Sequence, residues 1–121
     1  MTKTILIVED HPDALEYFEE VLAEQGYAVL TADNGRRGLE LAQSSRPDAV
    51  ILDVVLPQMS GREIHDALRA DPASQELPIL FITAEQGEDV SDLVDDRHTF
   101  YMKKALDVQQ LMSLLERSLR R

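Results

Sequence analysis

The chain has 121 residues, of which 44% are hydrophobic, so it corresponds to one domain that can bury a sizeable core. Its net charge of −11 and its pI of about 4.5 argue against direct binding to nucleic acid or to anionic membranes, which both need a basic surface. The absence of cysteine excludes disulfides and thiolate metal sites. No apolar run approaches the roughly 20 residues of a membrane span, and Met1–Lys3 leave no room for a signal peptide, so we predict a cytoplasmic protein.

Short apolar runs alternate with helical patterns along the chain. The runs predict strands at Ile5–Val8, Ala28–Ala32, Ala49–Leu52, Ile79–Ile82 and Phe100–Met102. Apolar residues at helical spacing predict helices from Pro12 to Gly26, over Arg36–Ser44, after Gly61 and over Val108–Leu119. Between Glu85 and His98 the helical pattern is weak, and it predicts a short or mobile helix there.

This alternation, repeated five times, is typical of an α/β fold with a doubly wound parallel sheet and helices on both faces. The strand runs lack the polar–apolar alternation of half-exposed strands, which favours burial on both faces. In such a sheet the ligand site lies at the carboxyl ends of the strands.

Carboxylates follow two of the predicted strands. Glu9 and Asp10 end the first run, and Asp53 ends the third. If these strands are neighbours, three carboxylates crowd one edge of the sheet and repel one another unless a cation lies between them. Oxygen ligands of this kind suit Mg²⁺, and an aspartate can also act as a covalent nucleophile. Thr83 follows the fourth strand and is expected at the same edge.

With these residues in place, the chain closely resembles the receiver domain of two-component response regulators over nearly its whole length. The matching pieces occur in the family's order, and they are Ile5–Asp10, Asp53–Pro57, Gly61, Thr83-Ala84 and Lys104. The resemblance implies a single receiver domain over residues 1–121. It also implies a five-stranded, flavodoxin-like sheet with the strand order 2-1-3-4-5.

The resemblance further implies that Asp53 accepts a phosphoryl group from a histidine kinase or a phosphotransfer protein. Asp10 and Glu9 would bind Mg²⁺ together with Asp53 and the backbone carbonyl of Val55. The domain would then catalyse its own phosphorylation and dephosphorylation and would switch a protein-interaction surface. A downstream protein or an effector domain would bind that surface. Whether the chain also forms a homodimer through the last helices stays open.

Three further residues take their expected roles from the family. Thr83 and Lys104 would contact phosphoryl oxygens, and Thr83 and Tyr101 would form the conformational switch. Lys103 makes the register of the lysine ambiguous, but Lys104 keeps Tyr101 in the family position. The family usually has proline after this lysine, joined by a cis bond. Here Ala105 follows, and whether it keeps a cis bond stays open.

Two other functions compete with the phosphorylated switch. Because residues 88–105 depart from the family pattern, the chain could instead be a phosphorylation-independent binding module with the receiver fold. A Mg²⁺-dependent phosphatase with an aspartyl nucleophile needs a second aspartate two residues after the first, where this chain has Val55. The resemblance also implies that Val55 and Glu85 occupy positions that influence the access of water, and the apolar Val55 then predicts a long-lived phosphoaspartate.

Overall fold

The computed structural model describes residues 2–83, 89–95, 97–103 and 108–120. Five strands and four α-helices alternate along these residues: β1 (Thr4–Val8), α1 (Pro12–Glu24), β2 (Ala28–Ala32), α2 (Gly35–Ser45), β3 (Ala49–Asp53), α3 (Gly61–Ala70), β4 (Ile79–Thr83), β5 (Thr99–Lys103) and α4 (Val108–Leu119). Two short 3₁₀ helices cover Pro72–Ser74 and Ser91–Asp95. Each strand begins and ends within one residue of its prediction.

The sheet is parallel throughout and has the order β2-β1-β3-β4-β5, which confirms the predicted α/β fold. In the register, Val8 pairs with Leu52, and Asp53 pairs with Ile82. The central strands β1, β3 and β4 therefore end nearly level with one another. The residues that directly follow these three strands therefore lie at a common edge of the sheet.

Helices cover both faces of the sheet, as predicted. On one face α2 and α3 pack on inward side chains of the strands, among them Leu52 and Phe81. On the other face α1 and α4 contribute Phe18, Leu22, Leu111 and Leu115 to a second buried cluster. None of the helices within the described residues is long and apolar enough to cross a bilayer.

Local signals in the sequence explain where the helices begin. The side chain of Asn34 accepts a hydrogen bond from the backbone N–H of Arg37, which caps α2. Ser60 and Glu63 form a reciprocal capping box at the start of α3, each side chain accepting from the other residue's backbone N–H. The start of α3 directly follows the loop after β3, so this cap helps to define that loop.

Between β4 and β5, where the sequence predicted a short or mobile helix, the described residues form the 3₁₀ helix Ser91–Asp95. We call residues 89–95 the β4–β5 segment. Among its described side chains only Val90 is buried, which is too little apolar surface to support a long helix. The prediction of a short element was correct in this respect.

Arg62 of α3 attaches the β4–β5 segment to the rest of the domain. Its guanidinium donates to both carboxylate oxygens of Asp92, at 2.9 and 3.1 Å, and to the backbone carbonyl of Asp89 at 2.9 Å. The hydrogen bond from Arg62 lowers the pKa of Asp92. The pKa of Asp89 is also lowered, chiefly because its carboxylate accepts from the backbone N–H of Ser91. Polar contacts from Arg62 thus hold the segment to α3 beside the buried Val90.

Candidate functional site

Three carboxylates meet at the carboxyl edge of the sheet, as the sequence predicted. Because Val8 pairs with Leu52, the next residues on the two strands, Glu9 and Asp53, stand level with each other. Oxygens of Glu9, Asp10 and Asp53 all lie within 4.8 Å of one another. Glu9 is buried, Asp53 is partly exposed and Asp10 is exposed. The group therefore runs from the interior of the domain to its surface.

The donor set of this group fits a hard divalent cation. All three side chains offer anionic oxygens, the ligands that Mg²⁺ takes in proteins, and an exposed residue on one side leaves room for the waters that Mg²⁺ usually retains. Carboxylates at this separation repel one another, so a cation between them would lower their mutual energy. The acidic group can therefore hold a metal ion.

Asp53 is held at the end of β3 by its neighbours. One of its carboxylate oxygens accepts a hydrogen bond from the backbone N–H of Val55 at 3.2 Å. Asp53 and Glu9 also border one small cavity, whose apolar wall includes Phe18 and Ile82. The side chain of Val55 is 67% exposed, so an apolar group stands in solvent next to the acidic group.

The loop after Asp53 folds back onto the strand. The backbone N–H of Gly61 donates to the carbonyl of Val54 at 2.9 Å, and a Cβ at Gly61 would lie 2.5 Å from the carbonyl oxygen of Asp53. The sequence indicated that Gly61 begins a helix. It did not indicate that this glycine lies against the backbone of Asp53.

The other predicted site residues lie on β4 and β5. Thr83 is the last residue of β4, is 6% exposed and pairs with Lys103, which ends β5. Tyr101, two residues earlier on β5, is 45% exposed. Lys104, the lysine that the sequence favoured, lies outside the described residues. The same holds for Glu85 and Ala105, so the question of a cis bond at Ala105 stays open.

Two glycines of α2, which the sequence pattern did not assign to the site, pack beside residues that flank it. The helix α2 carries Gly35 and Gly38 on the face that it turns toward the sheet edge, and both are buried. Two glycines three apart in a helical run are a visible signal, since glycine is a poor helix former. What they contact could be read only from the structure.

A parallel sheet of this order, with an acidic group where two central strands end, defines a flavodoxin-like α/β domain whose ligand site lies at the point where the strand order reverses. Residues 5–116 match the family model described as the response regulator receiver domain. The chain belongs to this family.

Individual relatives agree with the family assignment. The chain is 36% identical over 124 residues to the response regulator MprA of Mycolicibacterium vanbaalenii, an alignment that covers 100% of this chain and 52% of MprA. It thus spans about half the length of that relative. The crystal structure of a putative response regulator from Chloroflexus aurantiacus superposes with a TM-score of 0.89 at 32% identity, covering 100% of both chains.

A third relative bears on the acidic group. The receiver domain of a sensor histidine kinase from Pseudomonas aeruginosa is 25% identical to this chain, with a TM-score of 0.83 and 98% of each chain covered. Its structure is described with a magnesium ion coordinated in the active-site cleft. With the family shown, the chain is a phosphoacceptor signalling domain of the two-component type, and the phosphorylation-independent module is not favoured.

Proposed function

We propose that Asp53 is the phosphoacceptor of this domain and that residues 1–121 form one receiver domain. The observation that supports this most is the position of Asp53 within the acidic group. It is partly exposed at the end of a central strand, and the Val55 N–H binds one of its oxygens and so orients the carboxylate. Glu9, by contrast, is buried and is not accessible to a partner's phosphohistidine.

The proposed phosphoryl donor is a histidine kinase or a phosphotransfer protein. A carboxylate oxygen of Asp53 attacks the phosphorus in line, the P–N bond to the donor's imidazole breaks, and that nitrogen leaves with the bonding electron pair and takes up a proton. The product is an aspartyl phosphate. Attack by water on the same phosphorus then releases inorganic phosphate and restores Asp53, so the domain catalyses both steps on itself.

Glu9, Asp10, Asp53 and the backbone carbonyl of Val55 are the proposed ligands of Mg²⁺. When bound, the ion neutralises charge that develops on the phosphoryl oxygens during transfer. The separation of the three carboxylates supports this assignment, as does the magnesium-bound relative. Asp10 would supply the exposed side of the site and Glu9 the buried side.

Thr83 and Lys104 are proposed to contact the other phosphoryl oxygens. The support for Thr83 is its place at the end of β4, the strand that pairs with β3 at Asp53. Tyr101, which is half-exposed, is the proposed second part of the switch: movement of Thr83 toward the phosphoryl group would make room for the ring to turn inward. A downstream protein or an effector domain would bind the surface that changes. A homodimer through the last helices and a cytoplasmic location stay predictions.

The test is the intact mass of the protein after incubation with a small phosphodonor and Mg²⁺. We expect one added phosphoryl group on the parent chain and none on Asp53→Asn. Asp33→Asn is the matched control, because Asp33 also follows a strand and is exposed but stands outside the acidic group. Equal labelling of Asp53→Asn, or no labelling of folded parent protein that binds Mg²⁺, would contradict the proposal.

A further inference from the structure

We infer that the β4–β5 segment covers a docking surface on α3 and that an acidic segment of a partner protein competes with it for Arg62. The docking surface consists of Arg62 and of the part of the buried cluster that Val90 covers. The partner would present a carboxylate to Arg62 and an apolar side chain in place of Val90. The β4–β5 segment would thus be an autoinhibitory contact. This inference goes beyond the proposed function of Asp53 and does not rest on it.

The contacts of Arg62 define the polar part of the docking surface. Its guanidinium donates to both carboxylate oxygens of Asp92, at 2.9 and 3.1 Å, which is the bidentate geometry that arginine favours with carboxylates. The side chain of Arg62 is 32% exposed and that of Asp92 is 64% exposed. This ion pair therefore lies at the surface, where a carboxylate from another chain can take the place of Asp92.

Val90 defines the apolar part of the docking surface. It is 1% exposed and belongs to the buried cluster between the sheet and the helices α2 and α3, together with Ile64 and Phe81. Leu93, three residues further on, packs against the same cluster. When the segment opens, this part of the cluster faces water. An apolar side chain from a partner would bury it again, which is favourable in proportion to the apolar area covered.

The segment itself shows which partner chemistry fits the docking surface. The carboxylate of Asp89 accepts from the N–H of Ser91 at 2.9 Å, and the N–H of Leu93 donates to the carbonyl of Val90 at 2.9 Å. The resulting turn buries Val90 and places Asp92 against α3. We therefore expect a partner segment with an apolar residue, an acidic residue two positions later and a second apolar residue directly after it.

The cost of opening the segment decides how tightly a partner binds. Among the described side chains of the segment only Val90 is buried, so it should open at a lower free-energy cost than the strands beside it. A tethered segment competes at a high effective concentration, on the order of millimolar for short tethers. A partner in solution binds only the open molecules, and its apparent affinity falls with their fraction. Weakening the segment's own contacts should therefore strengthen partner binding.

The net charge of the chain does not prevent an acidic partner from binding. A charge of −11 repels such a segment at long range. At physiological ionic strength, however, interactions between exposed charges are largely screened beyond about 8 Å. The hydrogen bonds of Arg62 to a carboxylate act at 2.9 to 3.1 Å, well inside this distance. Recognition should therefore depend on Arg62 and not on the overall charge.

The test uses a synthetic peptide of residues 89–95 with both ends blocked, titrated into isotope-labelled protein at physiological salt. Chemical-shift changes measure its affinity for the parent, for Asp92→Ala and for Asp92→Ala combined with Arg62→Gln. The matched control combines Asp92→Ala with Arg37→Gln, because Arg37 also pairs with an exposed carboxylate, that of Glu40 at 3.3 Å, but lies on α2.

We expect the peptide to bind Asp92→Ala at least tenfold more tightly than the parent, with shifts at the Arg62 side chain and at the amides of Ile64 and His65. Adding Arg62→Gln should weaken this binding at least tenfold, whereas adding Arg37→Gln should change it less than twofold. The inference is overturned if Asp92→Ala binds no more tightly than the parent, or if the two arginine substitutions have equal effects.

Variants of the peptide test the proposed partner chemistry. The peptide changes Asp92→Asn and Val90→Ser should each weaken binding to the Asp92→Ala protein at least fivefold. The first removes the carboxylate that contacts Arg62, and the second removes the apolar side chain that the cluster buries. Undiminished binding of either changed peptide would overturn the partner chemistry stated here.

Amide hydrogen exchange separates opening of the segment from docking. The amides of Ser91 and Leu93 should exchange severalfold faster in Asp92→Ala than in the parent, while unfolding in denaturant checks that the variant is folded. The more conservative Asp92→Asn should change exchange and peptide binding in the same direction. Faster exchange without peptide binding would overturn the docking surface. Dimerisation of Asp92→Ala in sedimentation would assign the surface to a second copy and overturn the assignment to a partner.

Discussion

The buried carboxylate of Glu9 and the partly exposed carboxylate of Asp53 approach within 4.8 Å across two paired strands. Their closeness follows from the register that sets Val8 against Leu52, and so from the backbone of the sheet. Asp10 completes the group from the solvent side. The electrostatic repulsion among these three carboxylates therefore depends on whether a cation is present.

Mg²⁺ should stabilise the folded chain, and Asp10→Asn should abolish most of that effect. At a Mg²⁺ concentration of 100 times Kd, binding to the folded state alone adds about 2.7 kcal/mol to the free energy of unfolding. Asp10 is exposed, so its replacement should leave the metal-free stability equal to or above that of the parent, because one like charge is removed. Thermal unfolding with and without Mg²⁺ measures both quantities. Asp13→Asn, an exposed neighbour outside the acidic group, should keep the full shift, and its loss there would argue for non-specific binding.

The aspartyl phosphate should be long-lived, and Val55→Asn should shorten its lifetime severalfold. The exposed valine next to Asp53 can neither orient nor activate an attacking water, whereas an amide can hold one by hydrogen bonding. Phosphate release from purified phosphoprotein in Mg²⁺ buffer measures the lifetime. Val55→Ala removes the same side chain without adding a polar group and should behave like the parent. Rapid release from the parent, unchanged in Val55→Asn, would show that another residue controls access of water.

Thr83→Val should slow phosphorylation and abolish the movement of Tyr101 that follows it. Valine keeps the shape of threonine at this buried position but cannot donate to a phosphoryl oxygen, so labelling should be slower by about tenfold or more. In the parent we expect phosphorylation to lower the solvent exposure of the Tyr101 ring, followed by NMR of labelled tyrosine. That change should disappear in Thr83→Val and persist in Thr83→Ser. A ring that turns inward equally in all three proteins would exclude Thr83 from the switch.

The pKa of Asp92 should rise toward its ordinary value of 3.8 in Arg62→Gln, since the hydrogen bond from Arg62 is the main cause of its lowering. A lowered pKa means that the contact contributes fully above about pH 3.8 and is lost as the pH falls through the lower, folded-state value. Carboxyl-carbon NMR during an acid titration measures this. Asp89 is the internal control, because its pKa is lowered chiefly by the N–H of Ser91 and should stay low in the variant. An unchanged pKa at Asp92 would show that the ion pair does not form in solution.

Much of the fold and the centre of the site could be predicted from sequence because both depend on local patterns. Uninterrupted apolar runs mark the central strands, and parallel strands bring their ends to one edge, which is sufficient to join Glu9 to Asp53. The bond between Arg62 and Asp92 joins residues 30 apart and has no local signature. The glycines of α2 were visible, but the residues that they pack against could be read only from the structure. The roles of Thr83, Lys104 and Tyr101 stay predictions.

The sparse burial of the β4–β5 segment lets two properties of the domain vary independently. One is how often this segment opens, and the other is the arrangement of the acidic group. A segment with few buried apolar contacts opens at low free-energy cost, so a single exposed ion pair can change how often it is open. Substitutions at position 62 or 92 should therefore change how often the segment is open and leave the acidic group around Asp53 in place. Variants of this chain are therefore expected to differ in the local stability of this segment before they differ in the arrangement of the carboxylates at the other strand ends.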